Sequence, residues 1–134
     1  MQDWVVSLTS ASQAPIPEGA RSALLMRHGS MTLRYYAPRG TDPQTPHEQD
    51  EIYIVATGHG TVVSGAGEAQ LERRSFGPGD AIFVPAGHVH RFVDFSDDFA
   101  AWVVFWGPRG GEAAQACDTP IFPSPKLTPR RRCL

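Results

Sequence analysis

His47, Glu51 and His90 carry the donor chemistry of a metal site. In an extended chain, residues of equal parity share a face, so His47 and Glu51 can point the same way, given some irregularity at Gln49-Asp50. His90 shares its parity with Phe92 and Asp94. Phe92 suits an interior, which turns His90 inward with it. Two imidazoles and one carboxylate with positions left open make a facial site for Fe(II), or a zinc site of the two-histidine, one-glutamate type. An open position lets a substrate or oxygen reach the metal directly. Plainer roles exist for the same residues: a histidine satisfied by a polar neighbour, or Glu51 in a salt bridge at a rim. His88 is either a replacement ligand or a rim residue. Gln44 and Gln49 are candidate substrate contacts near the mouth. His59 falls in a hairpin turn, and His28 at a strand end receives no role.

The elements that must position these groups are strands. No long stretch has helical periodicity, and residues 9–22 read as a loop or a short turn of helix. Short β-type runs follow, separated by Gly and Pro: 22–27, 31–36, 51–57, 60–64, 70–75, 81–84, 90–95 and 99–106. Regular short strands with turn signals predict an all-β sandwich or barrel. Gly58-His59-Gly60 supplies a tight hairpin, and Phe76-Gly77-Pro78-Gly79-Asp80 is a strong chain break.

The last run is apolar on both faces: Phe99, Ala101, Val103 and Phe105 alternate with Ala100, Trp102, Val104 and Trp106. One set lines the core. The other needs cover, from the N-terminal segment around Trp4 or from a second subunit, which predicts a homodimer. Tyr53, Phe83, Phe92, Phe105 and Trp102 are candidate walls of the interior. One of Arg34, Tyr35 and Tyr36 offers a polar handle, and parity leaves open which. Residues 1–21 form an N-terminal segment, 22–107 the barrel, and 108–134 a Pro/Arg-rich tail expected to be flexible.

Two segments resemble the paired motifs of the cupin family. Gly40-Thr-Asp-Pro-Gln-Thr-Pro-His47-Glu-Gln-Asp-Glu51-Ile-Tyr-Ile-Val-Ala-Thr-Gly58 is similar to the first, with His47, Glu51 and Gly58 at its second histidine, glutamate and glycine. Gly79-Asp-Ala-Ile-Phe-Val-Pro85-Ala-Gly87-His-Val-His90 is similar to the second, with His90 at its metal histidine. Asp94 replaces the usual terminal asparagine, and Thr45 stands at the first histidine's place. The resemblance covers roughly residues 22–107. It implies a cupin-type antiparallel β-barrel, also described as a double-stranded β-helix or jelly roll. It also implies a divalent metal (Fe, Mn, Ni or Zn) on His47, Glu51 and His90.

Cupins include oxygenases, isomerases and lyases as well as binding proteins. The resemblance therefore implies either a metal-dependent enzyme on a small polar organic molecule or a non-catalytic ligand- or metal-binding module with a degenerate site. In the enzymatic reading, Asp94 or His88 is the candidate general base.

Composition narrows the partners. Residues 1–107 hold seven arginines against twelve acidic residues, a balance of −5. An acidic body argues against nucleic acid, which needs clustered positive charge. Arg130-Arg131-Arg132 reads as a solvated tail. No apolar run approaches the roughly 20 residues of a membrane helix. The start of the chain lacks a basic segment followed by an apolar run, which predicts a cytoplasmic protein without a secretory signal. The two cysteines, Cys117 and Cys133, lack the spacing of a structural zinc site.

Overall fold

The computed structural model describes residues 3–113. The expected flexible tail lies, apart from its first few residues, outside the described residues, as do both cysteines and the Arg130–Arg132 run.

Eight strands are present: β1 (Ala23–His28), β2 (Met31–Tyr36), β3 (Asp50–Thr57), β4 (Gly60–Gly65), β5 (Glu72–Phe76), β6 (Ala81–Val84), β7 (Val89–Val93) and β8 (Ala100–Trp106). They form two antiparallel sheets, one ordered β1-β2-β8-β3-β6 and the other β5-β4-β7. The expected all-β antiparallel barrel is what the chain forms. The run predicted over 70–75 begins later, because Glu68–Gln70 takes a 3-10 turn. One short helix, α1 (Leu8–Gln13), precedes the barrel, and the Ser7 side chain caps it by accepting from Ser10 N at 3.1 Å.

The core lies between the sheets. Tyr53, Val55, Ala101 and Val103 face Phe76, Phe92 and Val62 across it, with Phe99 wholly buried among them. The Phe99 ring packs 4.8 Å from both Phe76 and Phe92. The hairpin expected at Gly58-His59-Gly60 is instead a crossover: β3 and β4 do not pair, and their connection passes from one sheet to the other beside Phe99. Gly58 sits there at φ 82°, and a Cβ on it would lie 2.5 Å from the Phe99 backbone. No other residue satisfies both the left-handed backbone and that clearance.

Register decides which side chains enter the barrel, since directly paired residues project to one face. One inward row runs Thr32–Phe105–Glu51–Val84, the next Arg34–Val103–Tyr53–Ile82. Arg34 and Tyr36 therefore face inward. Tyr35 faces outward, edge-on to Trp102 at 6.2 Å. Two of the proposed interior walls are misplaced by sequence reasoning. Trp102 and Phe83 belong to the outward rows Tyr35–Trp102–Ile54–Ala81 and Leu33–Val104–Ile52–Phe83. Both strands are apolar on both faces, so alternation carried no information there. The outer face of the five-stranded sheet is thus apolar across all four of these strands. Trp4 does not cover it: that side chain is 85% exposed.

Candidate metal centre

Each donor comes from a different part of the fold. Glu51 is the second residue of β3, held between β6 (at Val84) and β8 (at Phe105). His90 lies on β7 in the opposite sheet, paired with Ser64. His47 stands on the loop entering β3. Its carbonyl accepts from Gly87 N at 2.8 Å, which ties that loop to the β6–β7 turn. The buried Asp50 carboxylate reinforces the tie by accepting from Ala86 N at 2.9 Å and from Glu112 N at 2.8 Å.

The three side chains converge. One ligand atom from each of His47, Glu51 and His90 lies within 4.8 Å of the others. His90 Nε2 is 2.9 Å from Glu51 Oε1, and both side chains are sealed from solvent. His90 Nδ1 lies 3.1 Å from the His88 carbonyl, which can only accept. Nδ1 therefore carries the proton, and in the neutral ring the Nε2 lone pair faces the centre. His88 contributes through its backbone, and its imidazole is not part of the cluster.

A fourth group completes the arrangement. Gln44 Oε1 lies 3.2 Å from His47 Nε2 and 3.3 Å from His90 Nε2, and it accepts from the Tyr53 hydroxyl at 2.9 Å. Its amide nitrogen donates to Asp42 Oδ2 at 2.9 Å. A carboxylate accepts and a hydroxyl donates here, so the carboxamide can point only one way. Asp42 is itself anchored, accepting from Phe92 N at 2.7 Å on the open edge of β7 and from the Tyr36 hydroxyl. Sequence reasoning set Gln44 at the mouth and gave Asp42 no role. The structure places Gln44 at the centre, whereas Thr45, the residue aligned with the missing histidine, is exposed. No residue spacing reveals this. It depends on the irregular loop from Gly40 to Gln49.

Electrostatics differ between the two imidazoles. Burial lowers His47 below its ordinary value, outweighing the pull of Glu51. Burial also depresses His90, but the Glu51 carboxylate and the His88 carbonyl overcome it, and the net shift is upward. Burial, followed by the charge of Glu51, raises Tyr53 well above its usual range, so its hydroxyl stays a donor.

The cluster fits a divalent cation. Glu51 is completely buried; His90 Nε2 lies 2.9 Å from its Oε1, while Oε2 has no hydrogen-bond partner among the described residues. A buried carboxylate with so few donors is costly unless a cation shares it. Donors about 2.1 Å from one ion lie roughly 3.0–3.4 Å apart in octahedral or tetrahedral arrangements. The separations of 2.9, 3.2 and 3.3 Å around Gln44, His47, His90 and Glu51 are close to those edges.

Other candidates fall away from the centre. Asp94 sits at φ 50° in the turn after β7, with its side chain 82% exposed and 3.8 Å from Arg73. It cannot be the general base, and its place is explained by the tolerance of Asp and Asn for left-handed backbone. Gln49 donates to the Ser30 and Gly107 carbonyls and so braces loops. His28 and His59 are exposed.

A family model described as the cupin domain matches residues 32–106. The Streptomyces coelicolor protein SCO3923 is 36% identical over 86 residues, spanning 63% of this chain and 77% of its own. Among solved structures, BH2720 from Bacillus halodurans aligns with a TM-score of 0.65 at 18% identity, over 81% of this chain and 83% of that one. A structure of Fe(II)-HppE with the alternative substrate (S)-1-HPP aligns with a TM-score of 0.55 at 18% identity, over 78% of this chain and 61% of that one. These two structural likenesses carry the fold alone. The family model covers more than half of the chain, both motifs lie within its span, and the protein belongs to the cupin family.

Proposed function

We propose that this cupin is a metal-dependent enzyme of the oxygenase, isomerase or lyase type, acting on a small polar organic molecule. His47, Glu51 and His90 hold a divalent ion (Fe, Mn, Ni or Zn), and the Gln44 oxygen is a fourth donor. The observation that carries this reading is the convergence of the buried Glu51 carboxylate, which has no partner at Oε2, with the imidazoles of His47 and His90. The fold likeness to Fe(II)-HppE is consistent with it. A bound divalent metal supplies a Lewis acid that polarises a carbonyl or carboxylate, or binds oxygen. The protein's own part is positional. His47 stays neutral, the His88 carbonyl fixes the tautomer of His90, and Tyr53 and Asp42 aim Gln44. A cavity of about 660 Å³ opens onto His47 and Gln44, within the size range of small-ligand pockets.

One observation favours a second reading, a non-catalytic binding module. Thr45, at the place of the first motif histidine, is exposed, and the fourth group beside the imidazoles is the Gln44 carboxamide, a weaker donor to transition metals. Chelator-treated protein reconstituted with each metal in turn tests the metal site on which the enzyme reading rests. The enzyme reading expects a melting temperature several degrees higher with one of these ions in large excess over its dissociation constant, and no rise in Glu51→Gln. A rise for no metal would remove the enzyme reading.

A further inference from the structure

The cavity above the candidate metal centre carries a charge pattern opposite to that of the body. Its lining holds Arg21, Arg27, Arg34 and Arg109 against one acid, Glu48. Glu48 is already engaged by the Arg109 guanidinium in two bonds of 2.7 and 2.8 Å. Yet residues 1–107 as a whole are acidic, with seven arginines against twelve acids. Positive charge is therefore concentrated at this opening.

Arg34 is the most informative of these residues. It shares an inward row with Val103 and Tyr53, so β2 aims it into the barrel rather than at solvent. Neighbouring strands stand about 4.8 Å apart. Arg34 is two strands from Tyr53, whose hydroxyl bonds Gln44, so a small molecule can span the gap. The partly buried Arg34 meets only the Ser22 hydroxyl, at 3.5 Å, and Arg21 meets the Pro43 carbonyl. Neither contact neutralises a guanidinium.

We propose that the pocket selects a small organic anion, whose carboxylate or phosphate group is held by Arg34 and Arg21 while its other end faces His47 and Gln44. This rests on the metal-pocket reading for the role of the inner end, but the anion site stands on its own residues. A planar guanidinium matches either oxyanion bidentately, and a half-buried one does so with little competition from water.

Calorimetric titration of the full chain, both chelator-treated and zinc-loaded, tests this with succinate, inorganic phosphate and the neutral succinamide. Succinate or phosphate is expected to bind, and whichever binds tighter assigns the anionic group. Succinamide should bind at least about tenfold more weakly. Arg34→Gln and the exposed Arg21→Gln should each weaken anion binding about tenfold or more, with Arg34→Lys recovering part of the loss. Unchanged anion affinity in both glutamine variants overturns the proposal. So does equal binding of succinamide, or no binding of either anion up to about 10 mM. Arginine-dependent binding in a protein that takes up no zinc would retain the anion site and remove the metal reading. Zinc uptake with arginine-independent binding would do the reverse.

Discussion

Gln44 Oε1 and His90 Nε2 lie 3.3 Å apart, although 46 residues separate them in the chain. The contact joins the entry loop of β3 to the opposite sheet and puts a carboxamide oxygen beside both imidazoles. Gln44→His is therefore expected to raise zinc affinity about tenfold or more, and Gln44→Ala to lower it by a similar factor. Thr45→His should change it little, because Thr45 is exposed. Competition titration against a chromophoric chelator measures all three. A gain for Thr45→His without one for Gln44→His would contradict the assignment.

Asp42 supports that arrangement from behind. Asp42→Ala removes the acceptor for the Gln44 amide, for Phe92 N and for the Tyr36 hydroxyl. Buried donors left without partners cost about 1–3 kcal/mol. Urea denaturation should show a loss of that size, and zinc affinity should fall as Gln44 loses its orientation. Wild-type stability in Asp42→Ala would refute the role.

The pH dependence follows from the two imidazoles. The Glu51 carboxylate and the His88 carbonyl outweigh burial and raise His90, so an incoming ion has to displace its proton up to a higher pH than for an ordinary imidazole. Burial lowers His47, which stays neutral to lower pH. Zinc affinity should therefore fall as pH drops through the raised His90 value. Binding in that range should release protons, more of them from His90 than from His47. Calorimetry in buffers of different ionisation enthalpy counts the protons. Release that grows as pH falls toward the ordinary histidine range fits this account; zinc binding in the wild type without proton release there does not.

The outer face of the five-stranded sheet supports a homodimer as a proposal. Its rows pair Leu33, Val104, Ile52 and Phe83, then Tyr35, Trp102, Ile54 and Ala81, with no charged side chain among them. Ile54 is exposed within it. An uncharged face is matched by itself across a two-fold axis, so the occupant proposed is a second copy. Sedimentation equilibrium at micromolar concentration should give a dimer. Ile54→Lys, at an exposed position, should shift it to monomer without lowering the unfolding midpoint of the monomer. A monomeric wild type would contradict this.

Strand positions were legible because Gly and Pro bracket each run, and a chain reversal at Gly58 was legible too, but as a hairpin, whereas the chain changes sheets there. The pairing of His47 with Glu51 was readable from motif spacing and not from parity, because His47 stands on the loop before β3. What escaped depends on geometry that parity does not encode. Gln44 and Asp42 act from an irregular loop. Trp102 and Phe83 lie on strands apolar on both faces, so alternation cannot say which face is inner. Arg34 over Tyr35 was decided only by the register of β2 against β8.

The central claim is that His47, Glu51 and His90 hold a metal, and elemental analysis of protein purified without chelator tests it most directly. Wild type should carry about one equivalent of a divalent transition metal per chain, and His47→Ala and His90→Ala should each lose most of it, since two protein side chains besides Gln44 are too few. Equal metal content in all three proteins, or none in the wild type even after reconstitution, would contradict the account.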